Sequence, residues 1–286
     1  MSKTNKTRLL NSEKTIMLSN LSRGLTYATA LLYGVLGAVL FLMPEQLAPS
    51  FAWNVTAFMT MTIGGWCLGN AWMAFICAVR WDWKRIYPSM LYLWLFGISQ
   101  VLVVASFRDK LKLEHPLAVL YLLTLAINII CTLVTSLDRV RVRSSHAFSG
   151  QSLTLAQRLP TFGFVLFVGF LGFYGVTAPL GAPGTNGGIF PEIMSAFTLR
   201  SFGAFYLCLA LAVIPLFREK NPQTLLHHAF AAYGLIFFIT LAAFVYIHLF
   251  DFIARPGGLA YFGAYLIVGL PLLVVFRKYG TGNRYS

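Results

Sequence analysis

Eight apolar runs of helical length divide this chain, and they constrain its fold more than any other feature. They cover residues 25–43, 58–79, 88–107, 116–134, 162–179, 197–216, 229–249 and 259–276. An α-helix rises ~1.5 Å per residue, so about 20 residues cross a hydrocarbon core ~30 Å thick. Backbone N–H and C=O groups find no water at that depth, so a spanning segment must be a helix or part of a closed barrel. A barrel needs short segments of alternating polarity, and these runs do not alternate. Only 11% of the residues are charged, against ~25% in a soluble domain. The pattern predicts an all-α membrane protein with eight transmembrane helices.

The runs also echo one another. Residues 51–71 read FAWNVTAFMTMTIGGWCLGNA, and residues 190–210 read FPEIMSAFTLRSFGAFYLCLA. Phe51, Ala57, Phe58, Gly64, Leu68 and Ala71 recur as Phe190, Ala196, Phe197, Gly203, Leu207 and Ala210. Thr56/Ser195, Thr62/Ser201, Gly65/Ala204 and Trp66/Phe205 are near matches. A second echo pairs Pro116, Tyr121, Ile127, Leu133 and Val134 with Pro256, Tyr261, Ile267, Leu273 and Val274. Self-similarity at a fixed offset marks a duplicated unit. The expectation is two tandem four-helix repeats, 25–136 and 161–277, with an arm at 1–24, a polar linker at 137–160 and a tail at 278–286. Four spans per repeat make both repeats enter the membrane in the same direction. Their pseudo-axis then runs along the membrane normal, which makes the repeats parallel rather than inverted.

The formal net charge of +13 would suggest nucleic acid as a partner of a soluble protein. In a membrane chain it marks cytoplasmic loops and meets anionic lipid instead. One side receives the N-terminal arm, Arg80/Lys84/Arg85, Arg139/Arg141/Arg143/Arg158, Arg218/Lys220 and Arg277/Lys278/Arg284. The other receives Arg108/Lys110/Lys112, Arg255 and Arg200, which is embedded in a run. Both termini are therefore expected in the cytoplasm of a multi-pass cell-membrane protein. Trp81, Trp83 and Tyr87 on the inner side and Trp53 on the outer side read as interfacial anchors. Ser12 is a candidate cap for a short helix in the membrane surface. A cleaved signal peptide competes with that reading, but the run 25–43 exceeds the ~7–15 residues of a signal core. Residues 180–191 (LGAPGTNGGIFP) read as an irregular outer loop. Cys67, Cys77, Cys131 and Cys208 all fall inside runs and form no CxxC, so they read as small apolar residues.

Polar groups inside the runs are the candidates for function. Asn70, Gln100 and Asn128 lie in the second, third and fourth runs, where amides tend to hydrogen-bond between helices. They are either a polar site in the first repeat or inter-helix glue. Arg200 sits inside the sixth run, where a guanidinium must snorkel or find a partner. Glu45, Glu192 and Asp251 share its expected side, so the four suggest an anion-attracting mouth between the repeats. The bland alternative is a structural ion pair or a lipid-headgroup contact. A haem needs axial ligands at matching depth. His115 and His248 are the one conceivable pair, and His227 and His228 lack an evident partner. No cofactor or metal is expected. Ala30/Gly34/Ala38, Gly65/Gly69 and Gly169/Gly172/Gly175 have the spacing of close helix crossings. Asn54-Val-Thr56 matches a glycosylation triplet that arises easily by chance. There is no P-loop, HExxH, GxSxG or intramembrane aspartate pair, and every acid falls in a terminus or loop. Enzymatic chemistry and a proton pump that relies on a buried carboxylate are both disfavoured.

The stretch WNVTAFMTMTIGGW resembles the outer loop and second span of bacterial multi-span membrane proteins that carry no assigned activity. A Trp and a Thr-containing turn precede a Gly-Gly-Trp span start. The resemblance implies only a bacterial inner-membrane setting. Two functions follow as expectations. One is movement of a small solute or lipid along the interface of the repeats. The other is a non-catalytic subunit or assembly factor of a larger membrane complex. Membrane lipids are expected partners, other membrane subunits are compatible, nucleic acid is not, and a homo-oligomer stays open.

Overall fold

The computed structural model describes residues 16–142, 155–180, 192–218, 222–259, 261–263, 265, 266, 269 and 270. Their regular structure is helical. The elements are α1 (Asn20–Leu42), α2 (Pro44–Leu47), α3 (Ala57–Val79), α4 (Trp83–Ser106), α5 (Pro116–Val142), α6 (Leu155–Thr177), α7 (Ala196–Val213) and α8 (Pro222–Val245). Single 3-10 turns follow α4, α7 and α8 at Arg108–Lys110, Ile214–Arg218 and Ile247–Leu249. Six helices are long and apolar enough to cross a membrane: α1, α3, α4, α5, α7 with its 3-10 extension, and α8. The chain is thus a multi-pass integral membrane protein by helix length and composition. The fifth expected span coincides with α6, whose apolar part is Thr161–Thr177. The eighth falls on 259–276, where the described residues from 257 to 270 are helical. Ser12, the linker centre, most of the outer loop and the C-terminal tail lie outside the described residues.

Helix starts are set by short polar caps. The side chains of Ser19, Thr56 and Ser195 accept hydrogen bonds from the N–H groups of Ser22, Met59 and Thr198 at 3.2, 3.3 and 3.2 Å. Each satisfies a donor that the first turn cannot pair internally. Because Ser19 is the cap, α1 begins at Asn20 and not at residue 25, one polar turn ahead of its apolar run. Pro88 lies in the second turn of α4 and has no N–H to give the Lys84 carbonyl four residues back. The Thr224 hydroxyl of α8 donates to that carbonyl at 3.1 Å, so the proline creates a docking point for another helix.

α1 packs on α3 and α5, α6 packs on α7, α3 on α8, and α4 on α5, α7 and α8. The α1–α3 and α6–α7 crossings are backbone-close. A Cβ on Gly37 would lie 2.7 Å from the Leu68 nitrogen, and one on Gly172 would lie 2.4 Å from the Leu207 nitrogen. A Cβ on Gly64 would meet the Phe41 nitrogen at 2.7 Å, and one on Gly203 the Gly175 carbonyl carbon at 2.4 Å. The glycine stripes therefore act as helix-crossing surfaces, since small residues let backbones approach where no hydrophobic force separates protein from lipid. Aromatic rings fill the centre: Trp66 stacks on Phe205 at 4.9 Å between ring centroids. Tryptophans expected as interfacial anchors are instead buried. Trp53 is 2% exposed, stacks on Phe197 at 4.1 Å and donates to the Thr198 hydroxyl at 3.0 Å. Trp81 donates to the Leu18 carbonyl at 3.1 Å, and the Arg139 guanidinium lies over Trp83. A ring flanked by its own bundle gains more from packing than from the headgroup layer.

Candidate functional site

The three intramembrane amides are all buried and each meets a tyrosine. Asn128 Nδ2 donates to the Tyr33 hydroxyl at 2.8 Å. Gly97 makes the room, since a Cβ there would lie 2.4 Å from Asn128 Oδ1. Gln100 Nε2 donates to the Ser201 carbonyl at 3.0 Å, and the Tyr121 hydroxyl donates to Gln100 Oε1 at 3.4 Å. Gln100 on α4 thereby joins a first-half tyrosine to the α7 backbone. The Asn70 amide faces the Tyr92 hydroxyl, yet neither group makes a well-formed hydrogen bond, and the Ser201 hydroxyl also lacks one. Within the second half the Tyr206 and Tyr265 hydroxyls pair at 2.8 Å. An unsatisfied buried polar group costs about 1–3 kcal/mol, more tellingly so where no water competes. Asn70, Tyr92 and Ser201 are thus among the buried groups of the described residues that still have hydrogen bonds to offer.

The four residues of the expected mouth have different partners. Glu45 and Glu192 do come together at one end of the bundle. Glu45 Oε1 accepts from the Tyr246 hydroxyl at 2.5 Å, the Thr56 hydroxyl donates to Glu192, and His248 stands near Glu192. Half-burial raises the Glu192 pKa above the usual glutamate range, the Thr56 hydrogen bond opposes that shift, and the Glu45 charge adds to it. Arg200 and Asp251 hydrogen-bond to backbone groups. The Arg200 guanidinium donates to the Gly175 carbonyl at 2.8 Å, a helix-to-helix bond between α7 and α6. Asp251 is exposed and accepts from the Ile253 and Ala254 N–H groups, which caps its own loop.

The structure also places groups that the sequence left aside. Tyr33, Tyr92, Tyr121, Tyr206 and Tyr265 add buried hydroxyls to the polar core. Their signal was present, because hydroxyl-bearing rings recur inside apolar runs, but hydropathy counts them as neutral. His228 does have a partner: its Nδ1 lies 2.9 Å from the Ser89 hydroxyl of α4. The thiols of Cys131 and Cys208 sit against the hydroxyls of Thr26 and Ser99, and all four cysteines are buried and free. Among the described residues no group of three or more His, Cys, Asp or Glu side chains is placed to hold a metal ion. The site offers hydrogen bonds and aromatic walls. Comparison of the chain with family models, with curated proteins and with solved structures yields no match.

Proposed function

We propose that this protein is a carrier that passes a small polar solute through its intramembrane polar core, at the interface of two duplicated halves. The observation that carries this reading is the set of unsatisfied groups Asn70, Tyr92 and Ser201, contributed by α3, α4 and α7. A solute with donors and acceptors would complete their hydrogen bonds in a setting where water cannot. The close-fitting aromatic walls would set its size.

Position-for-position contacts support the duplication. Gly34 faces Ala71 as Gly169 faces Ala210, with Cβ positions 3.7 and 3.5 Å from those side chains. Phe58 packs on Tyr246 at 5.7 Å, and Phe197 packs on Phe107 at 5.6 Å. Residues 139 positions apart also meet each other, as Ser89 meets His228 and as Trp66 meets Phe205. Matched residues touch one another only along a two-fold axis. That axis would run along the membrane normal, with both termini at the arginine-rich end and in the cytoplasm.

The test is water access. In a background with the four cysteines changed to alanine, Asn70→Cys in sealed vesicles is treated with a small water-soluble thiol reagent. The reagent attacks only a thiolate, which needs water. Asn70→Cys should react, whereas Leu31→Cys, which points away from the bundle, should not. Equal inertness of both would end the carrier reading. A second reading, a non-catalytic subunit of a larger complex, is favoured by the tight seam between the halves. A Cβ on Gly69 would lie 2.7 Å from the Leu235 backbone, and one on Gly234 would lie 2.8 Å from the Trp72 ring. Such a seam resists sliding. Other polypeptides in the native mass of the gently solubilised protein would favour it.

A further inference from the structure

α7 is wrapped by its neighbours over most of its surface. Between residues 197 and 213 only Arg200, Leu207 and Leu211 escape burial. Steps of seven and four residues put them on one face of the helix, and Ile214, 48% exposed, continues that face. An exposed stripe on a membrane-spanning helix faces lipid, so Arg200 belongs to a lipid-facing surface and not to a mouth between the halves. One guanidinium nitrogen is spent on the Gly175 carbonyl of α6 at 2.8 Å. No carboxylate lies within ion-pair distance of Arg200 among the described residues. The acids at this end are engaged elsewhere: Glu192 takes the Thr56 hydroxyl, Glu45 takes the Tyr246 hydroxyl, and Asp251 caps its own loop. The connection from α6 to α7, residues 178–195, carries no acid besides Glu192. A half-buried cation on a lipid-facing stripe, with donors still to give, calls for an anion supplied by the bilayer.

We propose that Arg200 holds the phosphodiester of a phospholipid whose acyl chain lies along the stripe of Leu207, Leu211 and Ile214. The helix is capped by Ser195, so Arg200 starts roughly 7 Å inside its end at ~1.5 Å per residue. Cβ atoms tilt toward the N-terminus of their helix, which aims this side chain at the headgroup layer of that end. An arginine bridges such a depth by laying its apolar stem along the protein and lifting its charge to the interface. The Gly175 carbonyl fixes the guanidinium through one nitrogen and leaves the others to meet two phosphate oxygens, a match of planar fork to oxyanion. The positive end of the α7 dipole favours the same anion. A phosphodiester keeps its charge at any physiological pH and is abundant where a span meets its loop. Bound lipid would brace α7 against α6 at their glycine crossing. The proposal does not depend on the carrier reading.

The experiment is native mass spectrometry of the detergent-solubilised protein, titrated with phosphatidylglycerol or with diacylglycerol of matched chains. The two lipids share their acyl chains and differ in the phosphate headgroup. Wild type should retain phosphatidylglycerol about tenfold better. Arg200→Gln should bring the two lipids to near parity. Arg200→Lys keeps the charge but not the fork, and it should keep only part of the preference. Arg255→Gln removes an exposed charge from the loop after α8 and should leave the preference intact. No preference in wild type, or a preference that survives Arg200→Gln, overturns the proposal. So does displacement of the lipid by millimolar inorganic phosphate, which would assign the guanidinium to a free anion. Should Arg200→Gln fail to fold, an undiminished preference in Arg200→Lys overturns it.

Discussion

Single residues in this protein matter by how closely backbones approach them. A Cβ at Gly203 would press on the backbone of Gly175 and Val176, both at 2.4 Å, and backbone atoms in a packed crossing cannot swing away. Gly203→Ala should lower stability by about 1–3 kcal/mol, read as the midpoint of thermal unfolding in detergent. Gly24 is the contrasting case, since nothing lies within 4 Å of its added Cβ and it sits inside α1. Gly24→Ala should stabilise by about 0.5–1 kcal/mol through lost freedom of the unfolded chain. Glu192 gives a pH signature. Burial first, and the Glu45 charge after it, hold its folded-state pKa above the usual range, against the pull of the Thr56 hydrogen bond. The folded protein therefore binds this proton more tightly than the unfolded chain does. The resulting stabilisation is full below the ordinary glutamate pKa and fades as pH rises through the raised one. A pH series of melting temperatures should show that decline in wild type and a flatter profile in Glu192→Gln. Identical profiles would remove Glu192 from the account. At this scale Asn70, Gln100, Asn128 and Arg200 were legible as polar residues in apolar runs, while their partners were not, because a hydrogen bond between helices has no local sequence signature.

At the scale of elements, apolar length marked the helices and short polar residues marked their starts. Thr56 and Ser195 initiate α3 and α7 through the same side-chain bond to the third residue onward. Ser19 shows where apolar length misleads, because a capped helix begins in the polar turn before the run it carries. The mooring of α8 on α4 rests on Ser89 and His228. The Ser89→Ala, His228→Phe and double variants should show a coupling of about 0.6–1.7 kcal/mol, the range for hydrogen bonds between membrane helices. Additive losses would mean that the contact contributes nothing beyond its shape. The sequence left His228 without a partner because Ser89 lies on a different helix, 139 residues away.

At the scale of the whole molecule, the halves meet through α3 with α8 and through α4 with α7 and α8. The seam is lined by Trp66, Phe205, Gly65 and Gly69. A seam of that kind should survive a cut in the connection between α5 and α6. Residues 1–148 and 149–286, expressed as separate chains with a tag on one, should copurify, and failure to do so would show that covalent linkage holds the halves together. What the sequence determined by itself is the class of fold, because uninterrupted apolar length leaves the backbone no choice but helix in a medium without water. It also located the polar residues that such a medium makes expensive. Tertiary structure alone decided which of them meet. It buried Trp53 against Phe197 where an interfacial anchor was expected, sent Arg200 to a carbonyl of α6 instead of to a carboxylate, and left the Asn70 amide unsatisfied beside Tyr92. Those outcomes depend on the rotation and crossing of whole helices, and the glycine contacts that set them pair residues far apart in the chain.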